Sequence, residues 1–437
     1  MYERNISTHK NIYTSIRPLY RLSQFIGLAP LTMIKEKTTS GHSYLRLEKS
    51  KKGIIYTICI IIILILYNCF LSVCMFIKGM DLSAMYYTFT VELFISIPLS
   101  IMILAVSMYN ICKQMDKVLQ KIAFVDKLLI TFPGKIYIYS EKLLKMAVFG
   151  IFLIITSINF YDIYIWHSNG IWYINFMICV FSTHVYLVIL VQFVSFVVLI
   201  KHRFKCLNEF LRESENYPVS NRQTKEKLEE IVGIHHPIIL KNNILSIDTY
   251  DTCWISDINS LSKRSEEDKK YCSEQFGIFR VNTLRMIYDV LCDIASSVND
   301  IYGFQMFLLT IIGFTKLIAY LNYAIISYIQ VGVSHKVMNS FLWASLTILT
   351  LFSMAGCCNF TSRETLRTAV LIQKLLLLRN IQPETRRELE LFVQLVNTRK
   401  VKFNAWNFFT IDFSILGSII SAATTYIVII VQFQKLS

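Results

Sequence analysis

The most constraining feature of this 437-residue chain is a series of apolar segments long enough to cross a lipid bilayer. A bilayer core about 30 Å thick needs roughly 20 apolar residues in a helix. Only 17% of the residues are charged, against about 25% in soluble domains. The sequence therefore predicts an all-α polytopic membrane protein with seven transmembrane helices. We number these spans one to seven, and they cover residues 54–77, 86–110, 145–165, 171–200, 303–330, 338–358 and 410–433.

The distribution of basic residues predicts which side of the membrane each connection occupies. Lys and Arg concentrate in cytoplasmic connections near helix ends. Ten lie in residues 1–53, one in 78–85, six in 111–143, none in 162–170 and nine in 359–409. This alternation predicts a cytoplasmic amino terminus and an extracellular carboxyl terminus. The net charge of +14 is then explained by the basic residues of the predicted cytoplasmic connections, and no motif indicates a nucleic-acid partner.

The same orientation argues against a G-protein-coupled receptor, whose amino terminus lies outside the cell. The D-R-Y and N-P-x-x-Y motifs of that class are also missing from spans three and seven. Spans four and five are expected to continue as helices into the cytoplasm, and another helical pattern in 363–397 breaks at Pro383. We therefore divide the chain into a cytoplasmic amino-terminal segment (1–53), spans one to six (54–358) with a long cytoplasmic loop (201–302), a cytoplasmic helical connection (359–409), and span seven with its flanks (410–437).

Catalytic and metal-binding motifs are missing from the sequence. GxxxxGK[ST], GxSxG, HExxH and C-x-x-C do not occur, and no set of His, Cys and carboxylate residues has metal-ligand spacing. We therefore expect neither an enzyme nor a bound cofactor or metal. Cys357 and Cys358, at the inner end of span six, are expected to serve in helix packing, and reversible palmitoylation is the alternative.

Span seven carries a polar edge. Its members follow one another at steps of 4, 3, 4, 3 and 4 residues, which places them on one helix face: Ser414, Ser418, Ser421, Thr425, Val428 and Gln432. A polar edge on an apolar helix can line a water-filled path, and it can equally be a packing face of small residues. Periodicity alone does not decide between these two interpretations. The first requires several copies of the chain around a shared axis.

The end of the chain resembles the insect gustatory receptors. Residues 425–433 read TYIVIIVQF, which is similar to the T-Y-(five hydrophobic)-Q-F signature of that family. Residues 19–32, LYRLSQFIGLAPLT, resemble its amino-terminal opening, and residues 362–376, SRETLRTAVLIQKLL, resemble its connection after span six. The resemblance implies a ligand-gated, non-selective cation channel that passes monovalent and divalent cations without a G protein.

By the same resemblance, the receptor would be a homotetramer related in architecture to insect odorant receptors, with other gustatory receptor subunits as alternative partners. It would lie in the lipid of the plasma membrane of chemosensory neurons. The gate would be near Gln432 and Phe433 of four copies of span seven, and the edge residues Val428, Thr425, Ser421 and Ser418 would line the pore.

The predicted outer ends of spans two to six are expected to form the ligand site, because mixed aromatic and polar walls are typical of small-molecule pockets. Within the membrane, His184 and Trp343 are the leading candidates, since their N–H donors need partners in a low-dielectric setting. The other candidates are Glu92, Asn159, Tyr320, Asn322, Tyr323, Ser340 and Thr347, with Tyr161, Asp162 and Asn339 close by. Lys316 and Glu92 lie at different depths on ideal helices, so we do not expect them to pair, and Lys316 has no assigned partner.

The composition of spans four and six favours an amphipathic or aromatic plant compound, such as a bitter substance, over a sugar. Both spans are mostly apolar below His184 and Trp343, whereas a sugar pocket needs a hydrogen-bonding group for each hydroxyl. A sugar-gated receptor is the alternative within the family. A membrane transporter or a non-conducting scaffold is the alternative outside it.

Overall fold

The computed structural model describes residues 12–37, 43–78, 90–129, 135–166, 172–216, 266–378 and 381–436. Helices dominate these residues. Two short helices, α1 (Ile12–Ser15) and α2 (Arg17–Ile26), precede an antiparallel hairpin of β1 (Leu31–Lys37) and β2 (Ser43–Lys49). The long helices follow as α3 (Lys51–Lys78), α4 (Ile97–Leu128), α5 (Lys135–Trp166), α6 (Trp172–Asn216), α7 (Glu266–Val331) and α8 (His335–Leu376). The chain ends with α9 (Pro383–Thr398), a short hairpin of β3 (Asn404–Ala405) and β4 (Phe409–Thr410), and α10 (Phe413–Leu436).

The seven predicted spans fall on seven helices in the described part of the chain, namely α3 to α8 and α10. Five of them, α3, α4, α6, α7 and α8, contain windows long and apolar enough to cross a membrane, and α5 and α10 contain shorter apolar stretches. The predicted continuations of spans four and five are also present as parts of α6 and α7. The orientation of the termini stays a prediction.

Two features at helix ends follow directly from proline chemistry. Residues Glu92–Ser96 form a π-helical turn before α4, whose second residue is Pro98. Proline has no N–H for the helical ladder, and a π-turn is one way in which a chain accommodates that loss. α8 ends at Leu376 and α9 begins at Pro383, which confirms the predicted break.

The chain divides into two compact units. The first comprises Met1–Phe204, Val290–Thr365 and Lys400–Ser437, and the second comprises Lys205–Asp289 and Leu366–Arg399. In the first unit, α6 and α7 are central, since 61% of the residues in their most apolar windows are buried, against 17% in α3. Helix α3 thus presents most of its apolar surface outward, as a lipid-facing helix does.

Buried polar bonds join the helices of the first unit. The Arg203 guanidinium of α6 donates two hydrogen bonds of 2.8 Å to the Asp126 carboxylate of α4. The Tyr302 hydroxyl of α7 donates to Gln192 of α6 at 3.2 Å, and the Gln192 amide in turn donates to Ser23 of α2. Because each of these groups is hydrogen-bonded, its burial is not penalised as an unpaired group would be.

The second unit has its own core and polar contacts. The Tyr288 ring of α7 meets the Phe392 ring of α9 edge to face, with centroids 5.7 Å apart, and its hydroxyl donates to the Arg399 carbonyl at 3.0 Å. Arg285 pairs with Glu388 at 3.3 Å. Between α6 and α8, the Thr368 hydroxyl donates to the Asn208 side chain at 2.7 Å. The helices of this unit include the predicted continuations of spans four and five and most of the 363–397 pattern, and their location outside the membrane stays a prediction.

Candidate functional site

A cavity of about 60 Å³ lies among α6, α7 and α8 in the first unit. A cavity of this volume has room for a few water molecules, and an organic ligand would fit if side chains of the wall shift on binding. Its wall is mostly aliphatic and aromatic. The lining residues are Thr183, Tyr186, Leu187 and Leu190 of α6, Leu309, Ile312, Gly313, Lys316 and Tyr320 of α7, and Trp343, Leu346, Thr347 and Thr350 of α8.

Lys316 is the one lining residue with a charged side chain, and it is only 8% exposed. Its Nζ lies 5.0 Å from the centroid of the Tyr186 ring, which is a cation–π contact. The structure thus identifies a partner for the lysine that the sequence left unassigned. The hydroxyl of Tyr186 is itself hydrogen-bonded. It donates to the carbonyl of Ser96, the last residue of the π-helical turn, and accepts from the hydroxyl of Ser100 in α4 at 2.7 Å.

Trp343 of α8 is another lining residue. Its ring is stacked on that of Tyr320 with centroids 6.1 Å apart and an interplanar angle of 22°. The indole N–H donates to the Asp162 carboxylate of α5 at 2.8 Å, and the second oxygen of that carboxylate accepts from the Asn339 amide. Asp162 is therefore a positioning residue, because it fixes the orientation of an aromatic wall residue from outside the cavity.

The structure brings three of the predicted ligand-binding residues, Trp343, Tyr320 and Thr347, together at the cavity, and their binding role stays a prediction. The imidazole Nδ1 of His184 lies 2.7 Å from the Val180 carbonyl, and its ring packs against Phe152 of α5. Buried positions elsewhere are taken by the other candidates whose side chains the structure describes: Asn159, Asn322, Tyr323 and Ser340. None of these five, His184 included, is among the lining residues, so their binding roles stay predictions. The side chain of Glu92 lies outside the described residues.

Ten of the thirteen lining residues are absent from the sequence-based ligand candidates, and Tyr186 and Thr183 are two of the polar ones. Both belong to an apolar stretch of span four, where a tyrosine is an ordinary core residue. Gly313 is a sequence signal for close packing of two helices, because a Cβ at this position would lie 3.1 Å from the Leu351 side chain of α8. The glycine allows α7 and α8 to approach closely beside the cavity.

The polar edge of α10 is exposed in the single chain. All six of its residues are exposed: Ser414, Ser418, Ser421, Thr425, Val428 and Gln432. Among the side chains of this helix that the structure describes, the buried ones are Ile419 and Ala423, at 7% and 4% exposure. At 100° per residue these two lie on the opposite face. The edge therefore faces away from its own chain. Phe433 belongs to the helix, and its side chain lies outside the described residues.

The β3–β4 hairpin leads into α10 and rests on α7. Its turn places Trp406 and Asn407 at φ values of 50° and 61°. Trp406 meets Phe304 edge to face at 4.6 Å, and Phe408 stacks on Phe307 at 4.8 Å. A Cβ at Gly303 would lie 2.9 Å from the Asn404 carbonyl oxygen. Helix α7 thus contributes residues to the cavity and also contacts the β3–β4 hairpin, which precedes α10.

Two curated receptors are similar to parts of the chain. The Drosophila melanogaster gustatory and pheromone receptor 32a is 31% identical over 96 residues, which are 22% of this chain and 20% of that receptor. The gustatory receptor for bitter taste 66a of the same species is 26% identical over 167 residues, which are 36% of this chain and 30% of that one. The matching segments span less than a third of each relative.

Solved structures with the same fold cover nearly the whole chain. The insect olfactory receptor OR5 from Machilis hrabei superposes with a TM-score of 0.56 and 12% identity, covering 97% of this chain and 98% of that one. Its complex with eugenol gives a TM-score of 0.57, with 96% and 97% covered. At this identity the likeness shows the fold alone. The profile of the 7tm chemosensory receptor family matches residues 16–437, so this chain belongs to that family, which is one of receptors and not of enzymes.

Proposed function

We propose that this chain is a gustatory receptor subunit that forms a ligand-gated, non-selective cation channel. It assembles as a homotetramer, or with other gustatory receptor subunits, in the plasma membrane of chemosensory neurons. A small-molecule tastant opens it to monovalent and divalent cations, and no G protein is required. The observation that carries this proposal is the exposed polar edge of α10, on the face opposite Ile419 and Ala423.

The length and chemistry of that edge suit a pore. From Ser414 to Gln432 a helix rises about 27 Å, close to the thickness of a bilayer core. Facing lipid, the Gln432 amide would lose hydrogen bonds with water. Facing a shared axis, four such edges would surround a path lined by hydroxyls and amides, which can replace part of the hydration shell of an ion.

The gate of the proposed channel lies near Gln432 and Phe433, at the carboxyl-terminal end of α10. Four Gln432 amides around one axis can hydrogen-bond to each other and close the path, because each amide carries both donors and acceptors. When the ring widens, water replaces those bonds at little cost.

We assign the tastant to the cavity among α6, α7 and α8, and its chemistry favours an aromatic or amphipathic plant compound. Leucine, isoleucine and aromatic side chains form most of the wall. The hydroxyls of Thr347 and Thr350 donate to carbonyls of their own helix, at 2.8 and 2.7 Å. Few donors are left to satisfy the many hydroxyls of a sugar, which is the alternative ligand class. The likeness to a receptor for bitter taste points the same way.

The proposal is tested by expressing the chain in cells without other chemoreceptors and recording currents during application of a panel of plant compounds and sugars. We expect ligand-evoked cation currents that persist when guanine nucleotides are depleted. Gln432→Ala should add a leak current or raise the open probability. Ile420→Ala is the matched control, because Ile420 is 56% exposed and lies outside the polar edge. Persistent dependence on guanine nucleotides would contradict a ligand-gated channel. A Gln432→Ala variant that folds and behaves as the parent would favour a transporter or scaffold with a packing edge.

A further inference from the structure

We propose that the corner between α2 and the start of α3 binds the headgroups of anionic phospholipids, in the leaflet where α3 enters the membrane. With the predicted orientation, this is the cytoplasmic leaflet. The corner is formed by exposed residues of both helices, namely Arg17, Arg21 and Phe25 of α2 and Lys52 and Tyr56 of α3. The inference is independent of the ligand cavity and of conduction along α10.

The segment that leads from α2 into α3 has a large excess of positive charge. Residues 17–56 contain eight Lys and Arg and two Glu, which gives a net charge of +6. Arg46 of β2 pairs with Asp116 of α4 at 3.4 Å. Within the described part of the chain, by contrast, no carboxylate forms an ion pair with Arg17, Arg21 or Lys52. The positive charge of the corner is therefore available to an anion from outside the chain.

Helix α2 is held with its basic face outward. Its buried residues are Leu19, Ser23 and Ile26. The Ser23 hydroxyl accepts a hydrogen bond from the Gln192 amide of α6, so this face is fixed to the interior of the first unit. Arg17, Arg21 and Phe25 follow one another at steps of four residues along a different face, and Phe25 is 73% exposed. Basic residues and an exposed aromatic ring on one short helix are typical of helices that lie at a membrane surface.

Two hydrogen bonds join the end of α2 to the first turns of α3. The Tyr56 hydroxyl donates to the Phe25 carbonyl at 2.8 Å, and the Thr57 hydroxyl donates to the Gly27 carbonyl at 2.8 Å. Arg21 precedes Phe25 by four residues, and Lys52 precedes Tyr56 by four, which is about 6 Å along each helix axis. Long basic side chains extend from such positions to the polar surface of a membrane while their stems stay on apolar surface. The two helices therefore present their basic residues to the same region of the bilayer surface.

The chemistry of the corner suits a phospholipid with a net negative charge. A guanidinium binds two phosphate oxygens at once, and an ammonium adds a further charged donor. Phe25 and Ile55, which is 62% exposed, offer apolar surface to the acyl chains next to the headgroup. Clusters of basic residues beside a membrane span attract anionic lipids, whereas the choline of phosphatidylcholine cancels the charge of its phosphate. We therefore expect phosphatidylserine and phosphoinositides to bind, in preference to phosphatidylcholine.

The test measures the fluorescence anisotropy of phosphatidylinositol bisphosphate, labelled on an acyl chain, with the purified full-length receptor in a non-ionic detergent. The competitors are unlabelled phosphatidylserine, phosphatidylcholine and soluble inositol trisphosphate. We expect phosphatidylserine to displace the probe at a concentration at least tenfold lower than either of the other two, and binding to weaken as salt is added. Equal competition by phosphatidylcholine, or no binding of the probe, would overturn the inference. Equal competition by inositol trisphosphate would indicate a site for free phosphates and would overturn the assignment to lipid.

Paired substitutions separate the corner from the net charge of the chain. Arg21→Gln with Lys52→Gln should weaken binding of the probe about tenfold or more, and Arg21→Lys with Lys52→Arg, which keeps both charges, should bind as the parent does. The matched control is Lys374→Gln with Arg387→Gln, since both residues are exposed in the second unit and their loss changes the net charge equally. We expect less than a twofold change in the control. Equal weakening in the control, or parental binding after both substitutions in the corner, would overturn the inference.

Discussion

The cavity and the last helix differ in what completes them. The cavity is lined by three helices of one chain, and polar groups around it are engaged within that chain, as Trp343 is with Asp162 and Lys316 is with Tyr186. The polar edge of α10 faces outward, and two of its hydroxyls donate back along the helix, Ser418 to the Ser414 carbonyl at 3.3 Å and Thr425 to the Ser421 carbonyl at 3.0 Å. A single chain can therefore build the proposed ligand site, whereas the proposed pore requires further copies around the edge.

The segment between the two regions explains how one could affect the other. Helix α7 contributes five residues to the cavity, and the β3–β4 hairpin before α10 packs on the same helix at Gly303, Phe304 and Phe307. A displacement of α7 by a ligand would move the base of this hairpin. Packed interfaces shift between discrete arrangements more readily than they deform continuously, so this contact is a route by which binding could reach α10.

The largest expected effect tests whether the polar edge of α10 lines a pore. Ser421→Lys places a ring of four positive charges in the proposed pore, and we expect single-channel cation conductance to fall tenfold or more. Ser421→Asp, at the same position, should keep or raise the conductance. The concentration of ligand that gives half-maximal current should change little in both variants. Equal conductance in the two variants, with both at the cell surface, would contradict a pore role for this edge.

The second effect concerns the cavity. Trp343→Phe keeps an aromatic ring and removes the hydrogen bond from the indole to Asp162. Hydrogen bonds to charged groups contribute about 1.5–3 kcal/mol, and this one contributes to stability with or without ligand. Loss of the fixed ring orientation should cost binding less than the bond itself, so the half-maximal ligand concentration should rise by about tenfold or less, with conductance unchanged. His184→Gln is the comparison, since the ring of His184 packs on Phe152. A larger shift in His184→Gln than in Trp343→Phe would mean that the ligand site lies on the α5 side of α6.

The third effect tests the link between the regions. Gly303→Ala brings a Cβ within 2.9 Å of a backbone oxygen of the hairpin, so the hairpin must move. Overpacking of this kind costs about 1–3 kcal/mol, and we expect weaker coupling, seen as a smaller maximal current at unchanged ligand affinity. Gly150→Ala is the control, because nothing lies within 4 Å of a Cβ there. Normal currents in Gly303→Ala would remove the hairpin from the coupling route.

The smallest effect concerns the start of α10. The Asp412 carboxylate accepts from the Ser414 N–H at 2.9 Å and from the Ser414 hydroxyl. Asp412→Ala removes this N-cap, which should lower the melting temperature by an amount equivalent to about 0.5–2 kcal/mol. An unchanged melting temperature in Asp412→Ala would contradict the assignment.

Helix number and the polar edge could be predicted from the sequence because both depend on local periodicity. The spans require runs of apolar residues, and the edge requires only the spacing of residues on one helix. The β1–β2 hairpin and α2 were not predicted, because their order depends on contacts with distant residues, such as the bond from the Thr57 hydroxyl to the Gly27 carbonyl at 2.8 Å. Long-range packing also determines which residues line the cavity. Trp343 and Tyr320 were predicted as site residues, but whether His184 or Tyr186 faces the cavity depends on the rotation of α6 against α7, which no local pattern records.

The most direct test of the central claim is a cysteine scan of α10 in the assembled receptor. Cysteines are placed one at a time at Ser418, Ser421 and Thr425 on the polar edge and at Ile419 and Ala423 on the buried face, and a small cationic thiol reagent is applied while ligand-evoked current is recorded. The parent chain with its 11 native cysteines sets the background. If the polar edge lines a pore, we expect rapid current block at the three edge positions and slow or no block at the two buried ones. Two outcomes would contradict a pore role for the polar edge. One is rapid block at Ile419 and Ala423, and the other is unchanged current at all three edge positions although their cysteines react with the reagent.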